Sequence, residues 1–158
     1  AMTVTTASGT KIYIGTTMTI PGLSPSIEYD DDTYVEIGEV ENLGEFGDES
    51  NTVTFAAIGD ARVRNLKGAR NAGVLALVVG RDPDDAGQDA LIAAEQTNDE
   101  YNFKVEHSDA DAGGTPTISY FRALVMSRRE TVGENDNVVR RTFNLGINTA
   151  ITEIPKAP

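Results

Sequence analysis

Enzyme chemistry often depends on histidine or cysteine, and this sequence contains one histidine, His107, and no cysteine. A metal site or a nucleophile relay would therefore have to be built from carboxylates and hydroxyls alone. His107 ends a stretch in which large or apolar side chains alternate with polar ones. We interpret it as a strand-end residue near the surface, and we predict no catalytic residue.

Two groups of aspartates have a composition that suits calcium, which takes six to eight oxygen ligands. They are the run Asp30–Asp32 and the pair Asp109 and Asp111, which precedes Gly113. The second group resembles the opening of a calcium loop, but Tyr120 stands where the closing bidentate glutamate belongs. We interpret both groups as solvated loops and predict no metal-binding residue.

Nucleotide and carbohydrate sites find little support in the sequence. No glycine-rich run followed by lysine lies between a strand and a helix, and the one clear helix begins with carboxylates that would repel phosphate. Only 6% of the residues are aromatic and none is tryptophan, so a stacking platform for sugars is thin. With 25 acidic residues, a carboxylate pair at the distance needed for glycoside hydrolysis is expected from number alone. We predict no cofactor-binding residue, no cofactor and no enzymatic activity.

Length and net charge further limit the class of protein to which this chain can belong. The 158 residues fit one domain, which we place at residues 2–158 because we interpret Ala1 as left by an expression vector. The net charge of −12 argues against wrapping nucleic acid, since phosphate binding depends on lysine and arginine. The longest apolar run, near Val74–Val79, is far shorter than the roughly 20 residues of a membrane span. We expect a soluble, unexported protein.

Alternation of apolar and polar residues is the main structural signal. Tyr101–His107 and Val139–Ile147 alternate as half-buried strands do, while Thr117–Ser127 is apolar on both faces. Residues Gly133–Asn137 supply the turn between the last two strands. Further strands are predicted at Lys11–Thr17, Tyr34–Glu41, Asn51–Ala57 and Ala72–Val79. Three segments are poor in strand signal: Met18–Thr33, Leu43–Ser50 and Gly59–Asn71.

A helix is predicted from Pro83 to Glu95, with Asp82 as its N-cap and acidic residues in its first turn. The strand Ala72–Val79 has apolar residues on both faces, so we expect this helix to cover one of them. The predicted fold class is mainly β: an antiparallel β-sandwich or barrel of about seven strands with one flanking α-helix.

Charge is segregated along the chain. Between Lys11 and Arg62 the sequence has no basic residue, and then Arg62, Arg64, Lys67 and Arg70 follow closely. Such segregation would let the basic segment of one copy face the acidic region of another. It would equally suit pairing within a monomer or a solvated surface. Under the first hypothesis the assembly residues are Glu39, Glu41, Glu45, Asp48, Glu49, Arg62, Arg64, Lys67 and Arg70.

The order of these elements resembles that of the tail tube (major tail) proteins of long, non-contractile phage tails. The resemblance covers nearly the whole chain and is most specific in Tyr34–Val40, in the basic segment Arg62–Gly68 and in the helix with Gly87–Leu91. The closing segment Val138–Asn148 is similar to the last tube strand of that family.

The resemblance implies hexameric rings that stack head to tail into a hollow tube for DNA delivery to the host. It also implies that the loop between the second and third strands reaches the neighbouring ring, and Gly44–Asn71 occupies that place. The implied partners are further copies of the chain and the tape measure, tail terminator and tail tip proteins. DNA would pass without specific binding, and no membrane is involved. The implied location is the virion tail, with the host cytoplasm before assembly.

Two alternatives remain open. A type VI-like secretion tube subunit would form the same kind of ring, and such tubes share the architecture implied above. A β-sandwich binding module for sugar or protein would instead be a monomer at every concentration.

Overall fold

A computed structural model describes residues 4–17, 29–59 and 61–158. These residues form ten β-strands and a helix, α1, in a mainly antiparallel β fold. In chain order the elements are β1 (Lys11–Ile14), β2 (Val35–Ile37), β3 (Val40–Asn42), β4 (Glu49–Phe55), β5 (Arg64–Asn71), β6 (Val74–Gly80), α1 (Ala86–Glu95), β7 (Tyr101–Glu106), β8 (Ile118–Thr131), β9 (Arg140–Ile147) and β10 (Thr152–Ile154). The predicted fold class is confirmed, with more strands than the predicted seven or so.

Eight of the strands form one sheet in the order β2-β1-β7-β8-β9-β6-β3, with β10 pairing with the start of β8. The first and last strands of this order, β2 and β3, are joined in sequence by Gly38 and Glu39. The sheet therefore curls so that its two ends meet. Glu39 has a positive φ of 58°, which bends the chain between the two strands. This left-handed conformation is uncommon for residues other than glycine.

The core fills the space inside the curled sheet. Each long strand contributes alternate side chains, as in β6, where Leu75, Leu77 and Val79 are buried and Val74 is exposed. Phe103 of β7 and Phe121 of β8 stack with their ring centroids 5.6 Å apart. The core thus combines residues of β6 with residues of β7 and β8, which lie on the other side of α1 in the sequence.

Helix α1 begins at Ala86, three residues after the predicted start. Its N-cap is Asp85, whose carboxylate accepts a hydrogen bond from the backbone N–H of Gln88 at 2.9 Å. The predicted cap, Asp82, instead stabilises the preceding turn by accepting from the N–H of Asp84. The side chains of both aspartates can accept a hydrogen bond from a backbone N–H. The helix begins after Asp85 and not after Asp82 because Asp85 lies next to the β2–β3 corner.

The expected packing of the helix on the strand Ala72–Val79 is wrong. Helix α1 packs mainly on β8, β2 and β1, where Leu91 and Ala94 are fully buried in the core. The second face of β6 stays open, with Val74 62% exposed. The apolar residues on both faces of β6 therefore do not indicate that the helix covers this strand.

The remaining sequence predictions were accurate in kind and less so in extent. The predicted strand Tyr34–Glu41 is broken into β2 and β3, and β8 continues to Thr131. Two strands were missed: β5, placed in the segment Gly59–Asn71 that was considered poor in strand signal, and the short β10. Most of the predicted loop 18–33 lies outside the described residues.

Candidate assembly surface

Strands β4 and β5 form a separate two-stranded ribbon, which we call the arm together with the residues that connect them. The ribbon is antiparallel, with Val53 paired with Leu66 and Phe55 paired with Arg64. Almost every side chain on both of its faces is exposed. No described strand or helix covers either face, although a two-stranded ribbon is only marginally stable in water.

The arm has one apolar face and one polar face. Directly paired residues of an antiparallel ribbon point to the same side, so Val53, Phe55 and Leu66 share a face with Arg64. About half of each apolar side chain is exposed: 48%, 54% and 53% for Val53, Phe55 and Leu66. The other face has Thr54 and further polar side chains. This pattern is typical of a strand pair packed on a core, but no part of the subunit that the structure describes supplies that core.

Gly73 and a groove mark the base of the arm. Asn71 ends β5 and accepts a hydrogen bond from the N–H of Gly73, which has a φ of 83°. The chain turns there before entering β6. A groove of about 540 Å³ beside the base is lined by Phe46, Asp48, Val74 and their neighbours. The arm is thus connected to the body by the chain and separated from it by open space.

The predicted assembly residues lie along the arm and at the adjoining edge of the body. Arg64, Lys67 and Arg70 are on β5, and Arg62 precedes that strand. Arg70 forms an ion pair with Asp48 of the same subunit at 3.0 Å. Each of these two charges therefore already has a partner within the subunit.

The other four acidic residues of the predicted set lie at the corner and edge formed by β2, β3 and β4. Glu41 forms an ion pair with Arg140 on β9. Glu39, Glu45 and Glu49 are exposed and form no ion pair among the described residues. The structure therefore leaves these three carboxylates as acidic candidates for contact with another copy.

A second basic group, which the sequence analysis missed, lies on the far half of β8. Strand β7 pairs with β8 only from Ile118 to Ala123, and no described strand pairs with the same edge from Leu124 onward. Arg128 and Arg129 are exposed on this open stretch and form no ion pair among the described residues. The length of β8, 14 residues against 6 for β7, was the signal that could have revealed the open edge.

The candidate chemical residues have structural roles. His107 Nε2 lies 3.2 Å from the hydroxyl of Ser119 at the edge of the sheet. Asp109 accepts hydrogen bonds from the hydroxyl and the N–H of Thr117, which lower the pKa of its carboxyl group. Asp111 forms an exposed ion pair with Lys156. These contacts stabilise the hairpin between β7 and β8.

Asp32 joins three parts of the chain. Its carboxylate accepts hydrogen bonds from the N–H and hydroxyl of Thr16, the N–H of Thr33 and the side-chain amide of Asn102. Partial burial alone would raise the pKa of Asp32, but the hydrogen bonds from Thr16, Asn102 and Thr33 lower it overall. The carboxylate is a structural acceptor.

Three tyrosines form an aromatic cluster next to this carboxylate. Tyr29 and Tyr120 stack with ring centroids 5.3 Å apart, and Tyr34 packs against Tyr120 at 6.0 Å. Burial, with nearby carboxylates such as Asp30 and Asp32, raises the pKa of Tyr34 and Tyr120. These phenols are therefore protonated hydrogen-bond donors and not bases at neutral pH.

Within the described ranges, no cluster of three or more histidine or acidic side chains has the arrangement of a metal site. Among the same residues, no helix is both long and apolar enough to span a bilayer. The most conspicuous feature of the described surface is thus the arm with its apolar face, together with the open edge of β8.

The whole fold is similar to solved proteins of phage tails and related injection systems. The SPP1 tail tube, solved by solid-state NMR and cryo-EM, matches 93% of this chain and 75% of its own chain, with a TM-score of 0.62 and 16% identity. This chain has the tail tube fold. Further matches with this fold come from structures of contractile injection systems, namely a baseplate, a sheath/tube terminator and a tube-terminating cap.

Two matches cover both partners almost completely. A chain of the anti-feeding prophage baseplate matches with a TM-score of 0.67 and 12% identity over 98% of each chain. A chain of the PVC sheath/tube terminator, from an extracellular contractile injection system, matches with a TM-score of 0.66 and 11% identity over 97% of this chain and 98% of its own. No protein-family model and no curated protein matches the sequence.

Proposed function

We propose that this chain is a structural, non-enzymatic subunit of a phage or prophage tail tube, in which hexameric rings stack into a hollow conduit for DNA delivery. The observation that carries the proposal is the arm, whose apolar face lacks a covering element in the described subunit. The tail tube fold supports it, because the neighbours with this fold are components of assembled tubes.

The arm needs a partner for a simple energetic reason. Fully burying an apolar side chain contributes about 1.5 to 3 kcal/mol, and Val53, Phe55 and Leu66 each keep about half of that surface in water. A neighbouring copy in the adjacent ring would cover this face. The contact is repeated around each ring, so a modest contribution per subunit sums to a stable stack.

Ring closure would use the open strand edges. An unpaired edge is a template for another strand, and β8 beyond Ala123 offers one such edge. The outer edges of β3 and β4 are also unpaired within the described residues. Joining β8 of one copy to the β3–β4 edge of the next gives a head-to-tail contact, which closes into a ring.

Charge favours this pairing of edges. The β8 edge has Arg128 and Arg129, whereas the β3–β4 edge has Glu39, Glu45 and Glu49. Opposite charges steer association and disfavour the pairing of two identical edges.

In this arrangement the further partners would be tape measure, terminator and tail tip proteins, in a tail assembled from subunits made in the host cytoplasm.

A second candidate is the tube subunit or tube terminator of a contractile injection system, a relative of type VI secretion tubes. The observation that favours it is the near-complete coverage of both chains in the matches to the anti-feeding prophage and PVC structures. A terminator would form single rings that do not stack, and a contractile tube would lie inside a sheath in the native particle.

Negative-stain microscopy and sedimentation of the concentrated protein test these functions together. We expect hollow tubes built of stacked rings, and sheathed native particles would then favour the contractile system. Single rings that never stack would indicate a terminator. A monomer at every concentration, also after addition of sonicated tail fragments as seeds, would contradict the proposal and favour a binding module.

A pair of arm variants identifies the surface responsible. Phe55→Asp places a charge on the apolar face, whereas Thr54→Asp places the same charge on the polar face of the same strand. We expect Phe55→Asp to abolish stacking with little change in thermal unfolding of the monomer, because no core contact is lost. Thr54→Asp is the matched control and should stack much better. Equal stacking of both variants would show that the apolar face is not the contact.

A further inference from the structure

The tip of the arm, between Phe55 and Arg64, exposes apolar side chains to water. Ile58 is fully exposed, more than any other large apolar side chain of the described residues, and Val63 is 57% exposed. From residue 56 to residue 67 the arm has three basic residues and one acidic residue. The outer half of the arm therefore combines an uncovered apolar side chain with a net positive charge.

The groove at the base of the arm has the opposite charge. Three carboxylates line it, those of Glu45, Asp48 and Glu49, and none of the described residues that line it is basic. Asp48 is paired with Arg70 of the same subunit. Glu45 and Glu49 form no ion pair among the residues that the structure describes. A positively charged segment is therefore the electrostatic complement of this groove.

Apolar surface lies beside these carboxylates. Val74 is 62% exposed, and Phe46 is half-buried, with its ring centroid 5.8 Å from that of Phe121 in the core. The loop that bears Phe46 packs closely on β6, since a Cβ at Gly44 would be 2.6 Å from the carbonyl oxygen of Ala76. The groove of about 540 Å³ lies in the range of ~300–1,000 Å³ that is usual for binding sites. It has room for a branched aliphatic side chain and its neighbours.

The tip of an arm lies too far from the groove of its own subunit to occupy it. The eight residues of β5 separate the two, and at ~3.3 Å per residue they span ~26 Å. A tip that occupies the groove must therefore belong to another copy. Such a contact joins two different surfaces, so it leaves one tip and one groove unused at the ends and propagates in one direction.

We propose that the tip of each arm docks in the groove at the base of an arm in the adjacent ring. Ile58 is the anchor and contacts the apolar side of the groove, formed by Phe46 and Val74. The cations of the arm lie beside Glu45 and Glu49, which also border the β3–β4 edge, so the docked tip lies next to the contact between copies within a ring. The inference rests on the proposed function, since it assumes stacked rings, and it adds that the arms are joined tip to base along the tube.

Crosslinking tests the docking, because the chain has no cysteine of its own. The test variant combines Ala56→Cys near the tip with Val74→Cys in the groove, and the matched control combines Ala56→Cys with Ala93→Cys on the exposed side of α1. Assembled tubes are treated with a bismaleimide of short reach and resolved by denaturing electrophoresis. We expect a ladder of covalent multimers from the test variant. The control and the single-cysteine variants should give mainly monomer.

Two results would overturn the inference while the tubes themselves uphold the proposed function. One is the absence of any product longer than a dimer from the test variant, where dimers alone would indicate reciprocal exchange of arms between two copies. The other is an equal ladder from the control. If the unmodified protein forms no tubes, the proposed function fails and the inference fails with it.

The anchor is tested separately by two substitutions of Ile58. Ile58→Val keeps a branched apolar side chain and should leave the concentration at which tubes form nearly unchanged. Ile58→Asn should raise that concentration about tenfold, because the anchor of every repeated contact is lost. Thermal unfolding of the monomer should be the same for both variants, since Ile58 is fully exposed in the subunit. Equal concentrations for tube formation by the two variants would exclude Ile58 as the anchor.

Discussion

Gln88 and Arg141 form a hydrogen bond inside the fold, with Arg141 Nη1 donating to Gln88 Oε1 at 3.3 Å. Both residues are buried, and Gln88 is fully inaccessible. The amide of Gln88 also donates to the carbonyl groups of Gly80 at 2.8 Å and Gly38 at 3.3 Å, and its Oε1 accepts from the N–H of Asp82. One side chain thus joins α1, β9, the end of β6 and the β2–β3 corner, which is where the curled sheet closes.

Replacement of Gln88 should therefore be strongly destabilising. Gln88→Leu keeps the volume but leaves the carbonyl groups of Gly38 and Gly80 without their donor, and each buried unsatisfied group costs about 1 to 3 kcal/mol. We expect the free energy of unfolding of the monomer, measured with urea, to fall by about 3 kcal/mol. Gln96→Leu, at the exposed C-cap of the same helix, is the control. A loss below ~0.5 kcal/mol would mean that the sheet closes without this side chain.

Gly87→Ala tests the close approach of α1 to β2. An added Cβ would overlap with the carbonyl oxygen of Glu36 and the Cα of Ile37, both of which are backbone atoms that cannot turn away. Although alanine favours a helix, overpacking of this kind costs about 1 to 3 kcal/mol, and we expect net destabilisation in urea unfolding. Gly59→Ala, where the Cβ would meet open space, should be nearly neutral. Equal stability of the two variants would contradict the packing.

Leu91→Ala tests the burial of the helix in the core. Leu91 is fully buried against the strands on which α1 packs, so truncation leaves a cavity and should cost about 2 to 5 kcal/mol in monomer unfolding. Ile92→Ala, on the half-buried side of the same turn, should cost less. If Leu91→Ala costs less than ~0.5 kcal/mol, the helix does not cover the core at this point.

The lowered pKa of Asp32 predicts a pH dependence. Because the folded-state pKa lies below the unfolded value of about 3.9, the carboxylate contributes fully above that pH and its contribution is lost as the pH falls through the folded-state pKa. Asp32→Asn should therefore lower stability at neutral pH, and the gap to the unmodified protein should shrink below about pH 4. Thermal unfolding from neutral to acidic pH measures this gap. Asp99→Asn is the control, and a gap that stays constant with pH would exclude the carboxylate as its cause.

Reversal of the arm cations tests whether stacking is partly electrostatic. Arg62→Glu combined with Arg64→Glu should block polymerisation and leave monomer unfolding nearly unchanged, because exposed pairs contribute only about 0.2 to 1 kcal/mol each and repetition multiplies the bias. Light scattering at low and moderate salt measures polymerisation, with Lys11→Glu combined with Lys156→Glu as the charge-matched control away from the arm. Normal polymerisation of the arm variant at both salt concentrations would mean that tube growth depends on apolar and main-chain contacts.

Local patterns in the sequence were sufficient to predict the class of fold. Alternation in Tyr101–His107 and Val139–Ile147 depends only on neighbouring residues, and it predicted β7 and β9 closely. The helix was found because proline and the aspartates at its start act within one turn. The scarcity of histidine and cysteine removes much of enzyme chemistry whatever the fold.

Tertiary structure decided which of the predicted faces are covered. The alternation in β4 is the same whether Val53 and Phe55 face a core or a partner, and only the pairing of β4 with β5 outside the main sheet leaves them exposed. Likewise, the apolar residues on both sides of β6 suggested cover by the helix, which packs elsewhere. The pairing of Asp48 with Arg70 within one subunit and the open edge of β8 also depend on strands far apart in sequence. A sequence pattern reports the period of a strand, whereas burial is set by long-range contacts that the pattern does not contain.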